Sequence, residues 1–447
     1  MKLQDTVRNF FRIGERDSSL TTETLSGATT FMAMSYILFV QPAILHEAGA
    51  PKGGVFFATC VASAIACLLT GLLANLPIAQ APAMGHNAFF VYTVCITMGF
   101  TWQQGLAAVC VGGIVFMLLS FVGVRETIMT IIPANLKRAI AGGIGLLITL
   151  IGLEYAGLVV DHQETLVQFG NVTNKYTLLA VAGLAITLFL LSIEVKGAIF
   201  FGILATGLGG YVLTALGIPL LEAQDAPTLN PGETVLALDF AGFFSKKGAM
   251  GVVLTFLFLD VFDTVGTLVG VGQRSRLMNR EGKLPGARWA LFSDATGTTV
   301  GAMLGTSTIT SYVESAAGIQ AGGRTGFSNL VTAGLFILSL MLYPALALFS
   351  SPVGPQQLYP VIAPALIVVG AMMLQGLADL EWADPTELFP AFLTIVIIPL
   401  AVSITDGIAV GCIAYSFLKL STRRWGDIHW SFHCISLALL LRYIFLT

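Results

Sequence analysis

Two short stretches carry most of the ionisable chemistry. FLFLDVFDTVGTLVGV (256–271) holds Asp260 and Asp263, three residues apart and so on one face of a helix. TSYVESAAG (310–318) places Glu314 just past a run of Gly, Thr and Ser. All three carboxylates are enclosed by apolar residues, and a carboxylate at bilayer depth costs on the order of 3 kcal/mol or more, which marks it for a role. A carboxylate accepts N–H donors, two at once where they are adjacent. Shielded from water, it also holds a proton more readily than an exposed one. Asp263 and Glu314 are therefore the candidates for both ligand binding and proton coupling. The structural alternative for Asp260 and Asp263 is capping a neighbouring half-helix or accepting from Ser and Thr hydroxyls, and for Glu314 a bond to the backbone of span three or span ten. Asp260-Val-Phe-Asp263 also has the spacing of a metal-binding aspartate pair in a prenyl-transfer site. That chemistry needs basic residues for a diphosphate, and this stretch has none before Arg274.

Other polar residues are weaker signals. Asn87 either presents its amide to a ligand or caps a short helix. His86 is either a titrating residue lining a cavity or a boundary residue. Glu154 and Asp294 lie nearer span ends or a Gly/Thr-rich region, where a local bond suffices. Asp406, after Thr405, reads as an N-terminal cap. Phe89, Phe90 and the rings from Phe256 to Phe262 read mainly as core, with one free to stack on a ligand.

These residues sit in a chain that water would not dissolve. It is 447 residues long, 55% hydrophobic and only 11% charged, against roughly 25% charged in soluble domains. A soluble enzyme and a nucleic-acid binder are poor readings, and a polytopic membrane protein is the strong one. Residues 1–24 are mixed and polar, with no apolar core ahead of a cleavage site, so no cleavable signal is expected. The six cysteines show no CxxC spacing and no His/Cys cluster, which predicts free thiols and no metal site.

Apolar runs between charged or Pro/Gly punctuation predict spans near 25–45, 54–76, 79–98, 104–123, 139–160, 176–193 and 197–217. A second set follows near 250–271, 287–303, 304–320, 327–349, 356–377, 386–402 and 406–422. The domain plan is a cytoplasmic segment 1–24, a first seven-span repeat 25–217, an extracytoplasmic loop 218–249, a second repeat 250–424 and an interfacial or amphipathic tail 425–447. With the N-terminus inside, every Lys and Arg falls on the cytoplasmic side except Lys52, Lys175, Lys246 and Lys247, and Arg442 in the tail.

Seven spans per half force the second half to run opposite to the first, the condition for an inverted repeat with a midplane site between broken helices. Two breaks stand at matching places. Span three carries Pro77, Pro82 and Gly85, and span ten runs from Gly301 through Gly305 to Glu314. Both predict a short extended segment followed by a half-helix, tolerable at depth only inside protein or along a cavity. An offset of 227 residues pairs both Asn87 with Glu314 and Tyr36 with Asp263.

The motifs TETLSGATTFMAMSYILFVQP (22–42), APAMGHNAFFVYTV (81–94), FLFLDVFDTVGTLVGV (256–271) and GTSTITSYVESAAGIQAGGRTG (305–326) resemble those of the nucleobase:cation symporter family 2, within the nucleobase–ascorbate transporter superfamily. They look most like its azaguanine-permease-like branch of adenine, guanine and hypoxanthine permeases. The resemblance implies an all-α protein of fourteen spans as two inverted seven-span repeats, divided into a core (spans 1 to 4 and 8 to 11) and a gate (5 to 7 and 12 to 14). It implies proton symport in the cytoplasmic membrane, no cofactor, no nucleic acid, a purine nucleobase as substrate and a homodimer. The family's substrate carboxylates fall on Asp263 and Glu314, with Asn87 and Gly85 contributing from span three. Thr267 stands where uracil permeases carry a proton-linked His, Ala83 replaces a usual Gly, and His86 a usual apolar residue. For a purine, Glu314 would take adjacent N–H donors and Asp263 a further one. Backbone amides at Gly85 to Asn87 and Thr308 to Tyr312 would meet acceptor atoms, and Phe262 or Phe89 would stack on the ring. The alternatives weighed are a uracil- or xanthine-type carrier or an anion transporter of the same fold, the latter disfavoured by two carboxylates. The prenyl-transfer enzyme is the third.

Overall fold

The computed structural model describes residues 2–122, 133–221, 228–274, 277–279 and 284–445. Part of the loop 218–249 and the cationic residues Arg125, Arg276, Arg280 and Lys283 of the cytoplasmic side lie outside the described residues. The side chain of Phe262 does so too, although its backbone is helical.

Long apolar runs fold as helices because lipid offers no partner for backbone N–H and C=O groups. In chain order the α-helices are α1 (Lys2–Phe11), α2 (Leu20–Met34), α3 (Ile37–Glu47), α4 (Lys52–Leu69), α5 (Met84–Ala88), α6 (Trp102–Val122), α7 (Ala134–Tyr155), α8 (Lys175–Ser192), α9 (Ala198–Ala215) and α10 (Phe240–Ser245). They continue with α11 (Ala249–Arg274), α12 (Ala287–Leu304), α13 (Ser315–Gln320), α14 (Phe327–Ser339), α15 (Tyr343–Phe349), α16 (Ala363–Met373), α17 (Pro385–Leu400), α18 (Ile404–Ser421) and α19 (Trp430–Phe445). Among the described residues nine helical stretches are long and apolar enough to cross a membrane. Of the other five expected spans, two are the broken segments and α12 is less apolar. The last two are the shorter helices Ala363–Asp379 and Pro385–Leu400.

The first helix of the bundle starts earlier than the boundary expected at residue 25. Ser19 caps α2 by accepting from the Thr22 amide at 3.1 Å. Glu23, fully buried, accepts from the amides of Arg324 (2.9 Å) and Thr325 (3.3 Å), so this charged residue belongs to the fold rather than to a polar leader. The cap of α18 is Ser403, not Asp406. Asp406 lies in the first turn and takes the Tyr443 hydroxyl from α19, holding the tail helix against the bundle. The loop 218–249 is partly docked: Phe243 on α10 is fully buried, and the Leu236 amide donates to Met303 at 2.6 Å.

The helices pack in two groups. In one, α2 lies on α14 and α13, α4 on α12 and α14, and α6 on α12 and α11. In the other, α7 lies on α16 and α17, α17 on α18, and α8 on α9. Close crossings in the first group need glycine: a Cβ on Gly27 of α2 would lie 2.2 Å from the Ser328 carbonyl oxygen of α14.

At the centre of the first group two extended segments cross. Strand β1 (Gln80–Pro82) and strand β4 (Ile309–Ser311) pair antiparallel with Gln80 opposite Ser311, Ala81 opposite Thr310 and Pro82 opposite Ile309. Strands β2 (Val159–His162) and β3 (Leu166–Phe169) form a separate hairpin after α7 that no sequence pattern announced. The breaks expected in spans three and ten are thus present. Gln80 and Ile309 lie 229 residues apart and Met84 and Ser315 231 apart, so the 227-residue offset does not describe the repeat.

Candidate functional site

One side chain pins each extended segment at matching places. Cys67 of α4 meets both the amide (3.2 Å) and the carbonyl (3.3 Å) of Gln80. Thr298 of α12 accepts from the Ile309 amide (3.0 Å) and donates to its carbonyl (2.9 Å). These contacts satisfy polar backbone that lipid could not. Two further bonds tie the segments to each other: the Ala83 amide donates to Thr308 O (3.0 Å) and the Tyr312 amide to Ala79 O (2.9 Å).

The carboxylates stand beside this crossing. Asp263 on α11 accepts from the Thr310 hydroxyl of β4 at 3.3 Å, and its Oδ2 lies 3.9 Å from Nδ1 of His86 on α5. Its side chain is 45% exposed although both neighbours are buried, so it opens onto a cleft. Glu314 precedes α13 and accepts from the Tyr36 hydroxyl at 2.8 Å, where α2 breaks to α3. Because Thr310 lies within β4 and Glu314 follows the same strand three residues later, the two carboxylates fall within electrostatic reach of each other. Two like charges in one site repel, and both gain when a donor or a proton intervenes.

The remaining predicted residues divide. Tyr312 is buried and donates its hydroxyl to the Pro82 carbonyl, which clamps β4 to the end of β1. Thr308 contributes its carbonyl to the crossing, and its hydroxyl oxygen is buried with no hydrogen-bond partner among the described residues. Gly85 allows α5 to approach α7: a Cβ there would lie 2.8 Å from Ile144 Cγ2. Asn87 is fully buried and spans the two halves, donating to Gln41 Oε1 and accepting from the Ser307 hydroxyl. It does not cap a half-helix, and its amide serves the scaffold in this conformation. Phe89 is also core, packed edge-on against Phe256 at 4.8 Å between ring centres. Asp260 is buried one turn before Asp263, and Asp294 takes the Thr264 hydroxyl between α11 and α12. Among the described residues no group of His, Cys, Asp and Glu is arranged to hold a metal ion.

Sequence reasoning gave Tyr36 only as a register partner of Asp263, not of Glu314, and passed over Gln41 and Thr310. Gln41 Nε2 donates to the Thr306 and Ser307 hydroxyls, both at 3.0 Å, and so joins α3 to the segment leading into β4. The available signal was a polar triplet, Ser35, Tyr36 and Gln41, in an otherwise apolar run.

A model described as the permease family matches residues 21–410. The chain belongs to this family, the nucleobase–ascorbate transporters. It is 39% identical to the guanine/hypoxanthine permease PbuG of Bacillus subtilis, covering 98% of this chain and 100% of that protein. To the adenine permease AdeP of Escherichia coli it is 37% identical, covering 99% and 97%. To the putative permease MJ0326 of Methanocaldococcus jannaschii it is 43% identical, covering 99% of both. Among solved structures, the transmembrane domain of the cyanobacterial bicarbonate transporter BicA superposes with a TM-score of 0.62 at 15% identity, covering 89% of this chain and 97% of that one. The overall structure of SLC26A9 does so with 0.63 at 11% identity, covering 94% and 69%. The shared architecture is the inverted-repeat transporter fold. The family member described here is therefore a multi-pass membrane permease, and the prenyl-transfer reading falls away.

Proposed function

We propose that this permease imports purine nucleobases together with protons across the cytoplasmic membrane. The observation that carries the reading is the pair Asp263 and Glu314, one bonded to the middle of a short strand and the other just past its end, at the crossing of two broken spans. Relatives similar over nearly their whole length are named for guanine, hypoxanthine and adenine. A purine is flat and neutral, with N–H donors along its edge. Guanine presents N1–H and an exocyclic amine side by side, and a carboxylate accepts both. Glu314, oriented by Tyr36, takes that edge, and Asp263, open to the cleft, takes a further N–H. Substrate exchange between the two sides follows from movement of one helix group past the other, which is alternating access. The chain then crosses fourteen times with its N-terminus inside.

Equilibrium binding to purified protein tests the assignment. Asp263→Asn and Glu314→Gln keep the shape but replace a charged acceptor, a bond worth about 1.5–3 kcal/mol. Each variant is expected to bind hypoxanthine, guanine or adenine about 10- to 100-fold more weakly, with thermal stability retained. Unchanged affinity in both variants removes the pair from the site.

A further inference from the structure

Coupling to a proton creates a chemical conflict at this site. The purine needs acceptors for its N–H groups. A carboxylate that takes up the proton turns one oxygen into a donor and loses part of its accepting capacity. A third group stands next to the pair. His86 on α5 is 3% exposed, its Nδ1 faces Asp263 Oδ2 at 3.9 Å, and its Nε2 is buried with no hydrogen-bond partner among the described residues. A buried ring nitrogen without a partner is an exception that calls for a cause.

The surroundings of His86 are otherwise uncharged. The helical continuation of α5 through Thr97 contains no ionisable group except Tyr92 and Cys95. On α3 the titratable residues, His46 and Glu47, sit at the far end. On α7, Lys137 and Arg138 lie near one end and Glu154 and Tyr155 at the other, while Ile144 faces α5 at Gly85. On α11, Asp260 lies a turn before Asp263. Among the described residues Asp263 is the only acidic side chain within ion-pair distance of His86.

We propose that His86 carries the coupled proton, leaving Asp263 and Glu314 both ionised as acceptors for the substrate. This rests on the reading of the site as a proton-coupled purine carrier. The step moves one proton and breaks no other bond: an imidazole nitrogen takes it from water on the outer side and returns it to water on the cytoplasmic side. The imidazolium pairs with Asp263 and offsets the repulsion between the two carboxylates, so purine and proton enter together.

The test uses the full chain in proteoliposomes and compares purine exchange at equal pH with accumulation under an imposed gradient. One proton per purine supports up to about tenfold accumulation for each pH unit. His86→Gln is expected to continue exchange while its accumulation falls to about onefold of equilibrium, a loss of about tenfold. Accumulation by His86→Gln equal to that of the unaltered protein overturns the proposal. Failure of the unaltered protein to exchange any purine would instead defeat the purine reading itself. Should His86→Gln not exchange, infrared difference spectra of the unaltered protein on purine addition decide. Imidazolium ring bands without a protonated-carboxyl band support the proposal, and a protonated-carboxyl band without imidazolium bands overturns it.

Discussion

Tyr36 donates to Glu314 at 2.8 Å, and that bond sets which way the carboxylate points. Removing the hydroxyl in Tyr36→Phe leaves Glu314 in place but free to rotate, and a hydrogen bond to a charged group is worth about 1.5–3 kcal/mol before water in the cleft replaces part of it. Purine affinity is expected to fall about three- to tenfold, less than for Glu314→Gln. Titration of a labelled purine against the two variants checks the order, and equal losses would mean that Tyr36 touches the ligand itself. At this scale the carboxylates were legible because charge is scarce in an apolar chain: Asp263 and Glu314 stand out against 11% charged residues. The uncharged partners were not. Thr310 and Gln41 are chemically ordinary residues whose roles arise only when distant segments meet.

The broken spans depend on two small side chains as well as on the short pairing of β1 with β4. Thr298 both donates to and accepts from Ile309, and it is buried, so no water stands ready to substitute. Thr298→Val keeps the volume and leaves two backbone groups unpaired, at about 1–3 kcal/mol each. A clear drop in thermal midpoint in detergent is expected, together with weaker purine binding, while Thr298→Ser stays near the original on both measures. A valine variant as stable as the threonine would show that the strand is held by other contacts. The breaks themselves could be read from Pro77, Pro82 and Gly85, and from the Gly/Thr/Ser run before Glu314, since such residues cannot continue a lipid-facing helix. The register could not. Cys67 and Gln80 are 13 residues apart with no pattern to link them, and the 227-residue offset missed the 229 and 231 that the strands and half-helices obey.

At the scale of the molecule, hydropathy announced a membrane bundle but not how its helices divide. Which helices pack together is set by close crossings such as Gly27 on Ser328, and by polar clamps that act across long separations. Glu47 at the end of α3 illustrates such a clamp: it takes the Tyr92 hydroxyl at 2.7 Å from its own group and the Tyr155 hydroxyl of α7 from the other. In the proposed alternating-access cycle the two groups move relative to each other, and contacts of this kind would be broken and remade. The docked loop and the hairpin after α7 escaped sequence reading because neither carries a periodic apolar pattern.

In the proposed cycle, purine movement is driven by protons through the cleft at Asp263 and Glu314. Uptake of labelled hypoxanthine, guanine and adenine into proteoliposomes, with an imposed gradient of one pH unit acidic outside, tests it most directly. Proton coupling predicts transient accumulation of at least one of these purines, up to about tenfold above equilibrium for one proton per molecule, abolished when the gradient is collapsed. Uptake that only equilibrates, at the same rate with and without the gradient, would contradict it.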